Sequence, residues 1–139
     1  MSSSAPASLL FTLGLLAAGV AGAAVSLIVQ GWQTHDAAQQ TAHELTGGDP
    51  RLGKAAFGRR GCGACHAIRG VEGADGQAGP ALDKIALRSF LAGSQPNDPQ
   101  HMIAWIQHPQ AIEPGVGMPD VGLTDAEARD VAAYLYTLR

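Results

Sequence analysis

Cys62-Gly63-Ala64-Cys65-His66 decides the fold, because three chemistries use paired cysteines and only one of them uses all five residues. A Cys-x-x-Cys thiol redox pair usually follows a strand in a βαβ setting. Here the preceding residues, Pro50 to Phe57, read as helix, and no β-branched run occurs. A zinc site needs four ligands, yet His66 follows Cys65 directly and the chain has only two cysteines. In covalent haem attachment, two thiols add to two vinyl groups, and the adjacent imidazole is placed to ligate the iron from one face. That reading leaves no residue of the motif over. It predicts one haem c held by Cys62 and Cys65, with His66 as a metal ligand.

Working outward from the motif, the 139 residues divide unevenly. Charged residues make up 15%, against about 25% in an ordinary soluble domain, so part of the chain is not built for water. All nine basic residues fall at or after Arg51, together with nine of the twelve acids. The net charge of −3 therefore comes from Asp36, Glu44 and Asp49. With no Lys/Arg stripe to neutralise phosphates, nucleic acid is excluded as a partner. Two cysteines also exclude a disulfide-dense scaffold.

Leu9 to Val29 reads LLFTLGLLAAGVAGAAVSLIV, without a charge. As a helix it spans about 31 Å, close to the hydrocarbon thickness of a bilayer. Trp32 follows, at a position suited to the lipid–water interface. The expectation is a single transmembrane anchor in residues 1–30. A cleavable signal peptide competes, because Ala21-Gly22-Ala23 fits an A-x-A site. Against cleavage, the apolar run continues through Val29, and Ser2–Ser8 lacks a positive side chain. Both readings place the rest of the chain outside the cytoplasm: tethered to the outer face of a bacterial cytoplasmic membrane, or soluble in the periplasm if residues 1–23 are removed. Gly14, Ala18 and Gly22 share one helix face, either as a packing surface or as a chance pattern. Residues 31–48 read as a polar linker. Gln33–Leu45 continues as helix until Gly47-Gly48, and His35 and His43 are read as solvated.

Beyond the motif, Gly53 and Phe57 precede it, Gly79-Pro80-Ala81-Leu82 follows it, then come Met118-Pro119 and Val131-Ala132-Ala133-Tyr134-Leu135. In this order and spacing, residues 49–139 resemble a class I cytochrome c. The chain also looks like membrane-tethered monohaem cytochromes associated with respiratory oxidases. The resemblance implies an all-α class I cytochrome c fold around one covalent haem, preceded here by the single N-terminal transmembrane helix.

It implies a site as well, with His66 below the iron and a sulfur ligand above it. Met1 lies on the wrong side of the apolar segment, or is lost with it. Met102 falls in the helical stretch Pro99–His108 and reads as core filler. Met118 sits in a turn-rich loop, Glu113-Pro114-Gly115-Val116-Gly117-Met118-Pro119, and is the favoured second iron ligand. His108 is its rival, although His101 and His108, seven apart, more simply form a polar helix face. The resemblance assigns the Pro80 carbonyl to the His66 Nδ1–H, and packs Leu82 on the ring. It places Trp105 at a haem propionate.

Helix starts are well marked. Asp49-Pro50 and Asp98-Pro99 put an acid at the N-cap before a proline, and Thr124-Asp125-Ala126-Glu127 is a capping box. The last helix, about 125–138, carries Ala128, Val131, Leu135 and Leu138 on one stripe. Phe57 is expected to meet Val131 and Tyr134 where the first and last helices of the domain cross, with Gly53 allowing close approach. A short helix is expected near Leu82–Arg88. Residues 70–79, 92–98 and 109–123 read as loops.

The function expected is one-electron transfer between redox proteins, a donor and an acceptor in membrane respiratory complexes, with no small-molecule substrate. The alternative is an integral c-type subunit of a larger respiratory oxidase or reductase. A third reading, a peroxidase or gas sensor, requires Met118 to dissociate.

Overall fold

The computed structural model describes residues 6–139; Met1 and the start of the polar stretch Ser2–Ser8 lie outside the described residues. The elements are α1 (Ala7–Thr46), α2 (Pro50–Arg59), a 3-10 turn at Cys62–Ala64, a second at Ile85–Leu87, the two-residue strands β1 (Phe90–Leu91) and β2 (Gln95–Pro96), then α3 (Pro99–Gln107), α4 (Pro109–Ile112) and α5 (Asp125–Thr137). The described chain divides after Asp36 into two compact units.

The first unit is the N-terminal part of α1. Its side chains from Ser8 to Asp36 are all exposed, among them Leu10, Phe11, Leu16, Val20 and Leu27. A helix apolar all round is suited to a lipid rather than an aqueous environment, and this one is long and apolar enough to cross a membrane. The Thr12 hydroxyl donates to the Leu9 carbonyl at 3.0 Å, so this polar side chain is satisfied within the helix.

The second unit, Ala37–Arg139, begins earlier than a free linker over 31–48 would allow. Ala42 is fully buried and Thr46 nearly so. The Thr46 hydroxyl donates to Ala42 O at 2.8 Å and accepts from Gly48 N at 3.1 Å. His43 is exposed, as expected of a solvated histidine, and its Nδ1 also bonds the Gly48 carbonyl at 2.9 Å. Asp49 N then donates to Asp130 Oδ1 on α5 at 2.7 Å. Ala42 and Thr46 sit one turn apart, so a pattern of only two small residues anchors the end of α1 in the core.

α2 and α5 form the centre of this unit. The Asp49 carboxylate accepts from Arg51 N and caps α2; the Thr124/Glu127 capping box starts α5. At their crossing a Cβ on Gly53 would lie 1.8 Å from Asp130 O, so only glycine permits this helix separation. The Phe57 and Tyr134 rings meet edge to face, with centroids 5.8 Å apart at 67°, an arrangement that adds about 1 kcal/mol to simple burial. α5 is buried far beyond its expected stripe, from Val131 through Tyr136 without a break, while Leu138 is only partly buried.

Among the described residues of the second unit, the named elements are helical apart from one hairpin. β1 pairs antiparallel with β2, Leu91 opposite Gln95; β2 lies inside the 92–98 segment expected to be loop and β1 just before it. Asn97 ties this hairpin down. Its Nδ2 donates to Ile85 O at 2.8 Å and to Arg88 O at 2.7 Å, and its Oδ1 accepts from the Tyr136 hydroxyl at 3.1 Å. Burial, reinforced by the nearby Asp98 charge, pushes the Tyr136 phenol up to about 12.

Candidate functional site

The Cys-x-x-Cys-His motif is shaped by main-chain bonds. Cys65 N and His66 N both donate to Cys62 O, at 3.2 and 3.0 Å, and this 3-10 turn sets Cys62, Cys65 and His66 on one short arc. Both cysteines are free thiols, and burial pushes that of Cys62 up. The chain after the motif folds back on it. Gly79 N donates to Cys65 O at 2.8 Å, and Leu82 N to Ala67 O at 2.8 Å.

These bonds bring Pro80 beneath the imidazole. His66 Nδ1 lies 2.8 Å from Pro80 O. A carbonyl can only accept, so Nδ1 carries the proton and Nε2 keeps its lone pair for a ligand. The ring lies against Gly79, where a Cβ would come 2.4 Å from the imidazole Cε1. Any other residue there would displace the ring.

His66 lines a cleft of about 510 Å³ that also receives Cys62, Cys65, Pro80, Leu82, Trp105 and Met118. All seven residues singled out in the sequence thus reach one cavity, from the motif turn, the 79–82 segment, α3 and the 113–119 loop. Ile85, Leu91, Ile106, Val131 and Leu135 complete mainly apolar walls. Met102 is 1% exposed and belongs to the core as expected, although its side chain also reaches the cleft wall. Met118 is half-buried against the same core.

His108 does not line the cleft. It caps the end of α3 with φ −136°, off the helical face it was expected to share with His101, and its Nδ1 lies 3.0 Å from Asp120 Oδ2. The Gly122 amide, and then His108, hold the Asp120 carboxyl below the usual carboxylate range. His101 pairs with Asp98 at 2.7 Å, a carboxyl lowered mainly by its bond from the His101 amide.

Three contributors had no sequence signature. Arg60 lines the cleft, bonds Val121 O at 3.3 Å and Glu127 Oε2 at 2.5 Å. Arg88, also in the wall, donates to Ala81 O and, at 3.1 Å, to Asp83 O. Gln110 lies on α4, a turn expected to be loop, and reaches across to residues 115–118. Each acts through bonds between segments distant in sequence or irregular in backbone, where no periodicity could reveal it.

The donor set suits a haem: two free thiols on one turn, an imidazole with its Nδ1–H already engaged, a thioether, and an apolar cavity in the size range of cofactor sites. A family model described as Cytochrome c matches residues 50–139. Over 90 residues the chain is 36% identical to a protein of Alkalihalophilus pseudofirmus described as cytochrome c oxidase subunit 2. The match covers 63% of this chain and 25% of that protein, so the chain spans about a quarter of the length of this relative. No solved structure matches the chain.

Proposed function

The chain belongs to the cytochrome c family, and from that premise we propose which residues hold its cofactor and where it works. Haem c with its iron is the cofactor, and electron transfer the activity. In this reading Cys62 and Cys65 would carry the thioether links, and His66 and Met118 would ligate the iron. Pro80 O orients the imidazole, while Leu82 would pack on the ring and Trp105 would reach a propionate. The observation that carries the assignment is the convergence of all seven on one cleft.

When bound, the haem supplies a one-electron Fe(III)/Fe(II) couple. The chain supplies the rest. The Pro80 carbonyl raises the basicity of His66 through Nδ1–H. The apolar walls keep water from the metal, favouring the less charged ferrous state. Arg60 and Arg88 are the wall cations available to the haem carboxylates. With both His66 and Met118 on the iron no position would be left for a substrate, which supports electron transfer without catalysis.

Residues 9–29 serve as an uncleaved anchor, and the haem domain works on the outer side of the cytoplasmic membrane between respiratory redox proteins. Continuation of the apolar run past Ala23 supports the anchor. A second reading, a non-catalytic subunit of a respiratory oxidase, is favoured by the relative described as an oxidase subunit. Detergent purification of the full chain tests both. The proposal expects an intact mass containing residues 9–29 and one haem, in a protein that runs alone. Stable co-purification with oxidase subunits would favour the second reading, and a mature chain starting at Ala24 would overturn the anchor.

A further inference from the structure

The 113–119 loop is poor in bonds of its own. Pro114 and Pro119 have no N–H, and the main-chain bond formed inside the loop is Val116 N to Glu113 O at 3.1 Å. Gln110 supplies what is missing. Its Nε2 donates to Val116 O and, at 3.1 Å, to Met118 O; its Oε1 accepts from Gly115 N at 3.3 Å. Among the described residues no other side chain bonds the backbone of 114–118.

We infer that Gln110 is a positioning residue that holds Met118 at its ligating position and sets how readily the thioether leaves the iron. The inference rests on the reading of Met118 as axial ligand. A carboxamide suits the task because it offers donor and acceptor on one plane, and so can bond carbonyls and an amide of the same loop together. Hydrogen bonds this exposed contribute little to global stability, since water replaces them when the chain unfolds. They bear more directly on a local equilibrium between a loop with Met118 on the iron and one with Met118 released. An outside ligand binds only the released state, so its apparent affinity reports that population.

The test uses full-length ferric holoprotein in detergent, titrated with imidazole while the long-wavelength sulfur–iron absorption band is followed. Gln110→Leu removes donor and acceptor; Gln110→Glu removes the donor at nearly constant shape, and serves if the first variant folds poorly. Gln107→Leu is the control, because Gln107 donates to Asp125 Oδ1 at 2.6 Å and not to the loop. Both Gln110 variants are expected to keep the band without imidazole and to bind imidazole about tenfold more tightly. Their urea midpoints should shift no more than that of Gln107→Leu. Imidazole affinity equal to the parent's in both Gln110 variants, with Met118→Leu abolishing the band, overturns the inference about Gln110 and leaves Met118 standing. Survival of the band in Met118→Leu overturns the ligand reading itself and the inference with it.

Discussion

His66 and Met118 both face the cleft, but the segments that present them are held in different ways. Around His66 main-chain bonds set the frame, His66 N to Cys62 O, Gly79 N to Cys65 O and Leu82 N to Ala67 O, with Arg88 on Ala81 O as a side-chain addition. The ring itself bonds a proline carbonyl. Around Met118 side chains hold the segment: Gln110 of α4 on the loop, and His108 on Asp120 and Arg60 on Val121 O just after it. Main-chain bonds in a packed turn break only when the turn unfolds, whereas exposed side-chain bonds open locally at low cost. The His66 side is therefore part of the fold, and the Met118 side is a device mounted on it. Injury to the first should unmake the protein; injury to the second should change its ligation and leave the fold.

The largest effect is expected from Cys62→Ala with Cys65→Ala. Without covalent attachment the apolar cleft loses its contents, and the chain should release haem under denaturing conditions and fold poorly. Haem staining of a denaturing gel reads the first effect and circular dichroism the second. Covalent haem in the double variant would break the comparison at its base.

Gly79→Ala comes next. A methyl group 2.4 Å from the imidazole Cε1 must push the ring or the main chain, at a cost of about 1–3 kcal/mol. It should also loosen the bond to Pro80 O, make His66 a weaker donor and raise the reduction potential. Urea unfolding and redox titration check the two effects. Unchanged stability would mean that the His66 side is as detachable as the loop.

How far the sequence reveals these features follows the same division. The motif turn, the helix caps at Asp49, Asp98 and Thr124, and the Gly53–Phe57–Tyr134 crossing were legible, because each rests on residue type at short spacing. The end of α1 was not: Ala42 and Thr46 pack into the haem-bearing unit from within a polar stretch that reads as a tether. The hairpin Phe90–Pro96 was missed because strands of two residues are too short to show alternation. α4 was hidden because its four residues lie among turn formers. Gln110 and Asn97 act through side-chain bonds to irregular backbone, which only the folded chain brings together.

Two tyrosines on α5 give the smallest effects and test whether the core accounts for its polar atoms. Tyr136 donates to Asn97, so Tyr136→Phe should cost about 1 kcal/mol and loosen the hairpin. The Tyr134 hydroxyl is buried and has no hydrogen-bond partner among the described residues. Removing it in Tyr134→Phe should be neutral or stabilising by about 1 kcal/mol. Urea midpoints of the two variants should move in different directions, or only that of Tyr136→Phe should move.

If the cleft holds a haem iron between His66 and Met118, the sulfur–iron absorption band of the ferric protein must respond differently in two variants, Met118→Ala and Met102→Leu. Met118→Ala should lose the band, keep its covalent haem and its helical circular dichroism, and admit carbon monoxide to the ferrous iron. Met102→Leu, a nearly volume-conserving change in the core, should keep the band. Loss of the band in Met102→Leu with its survival in Met118→Ala would contradict the account, and would place the sulfur ligand on α3 instead of the loop.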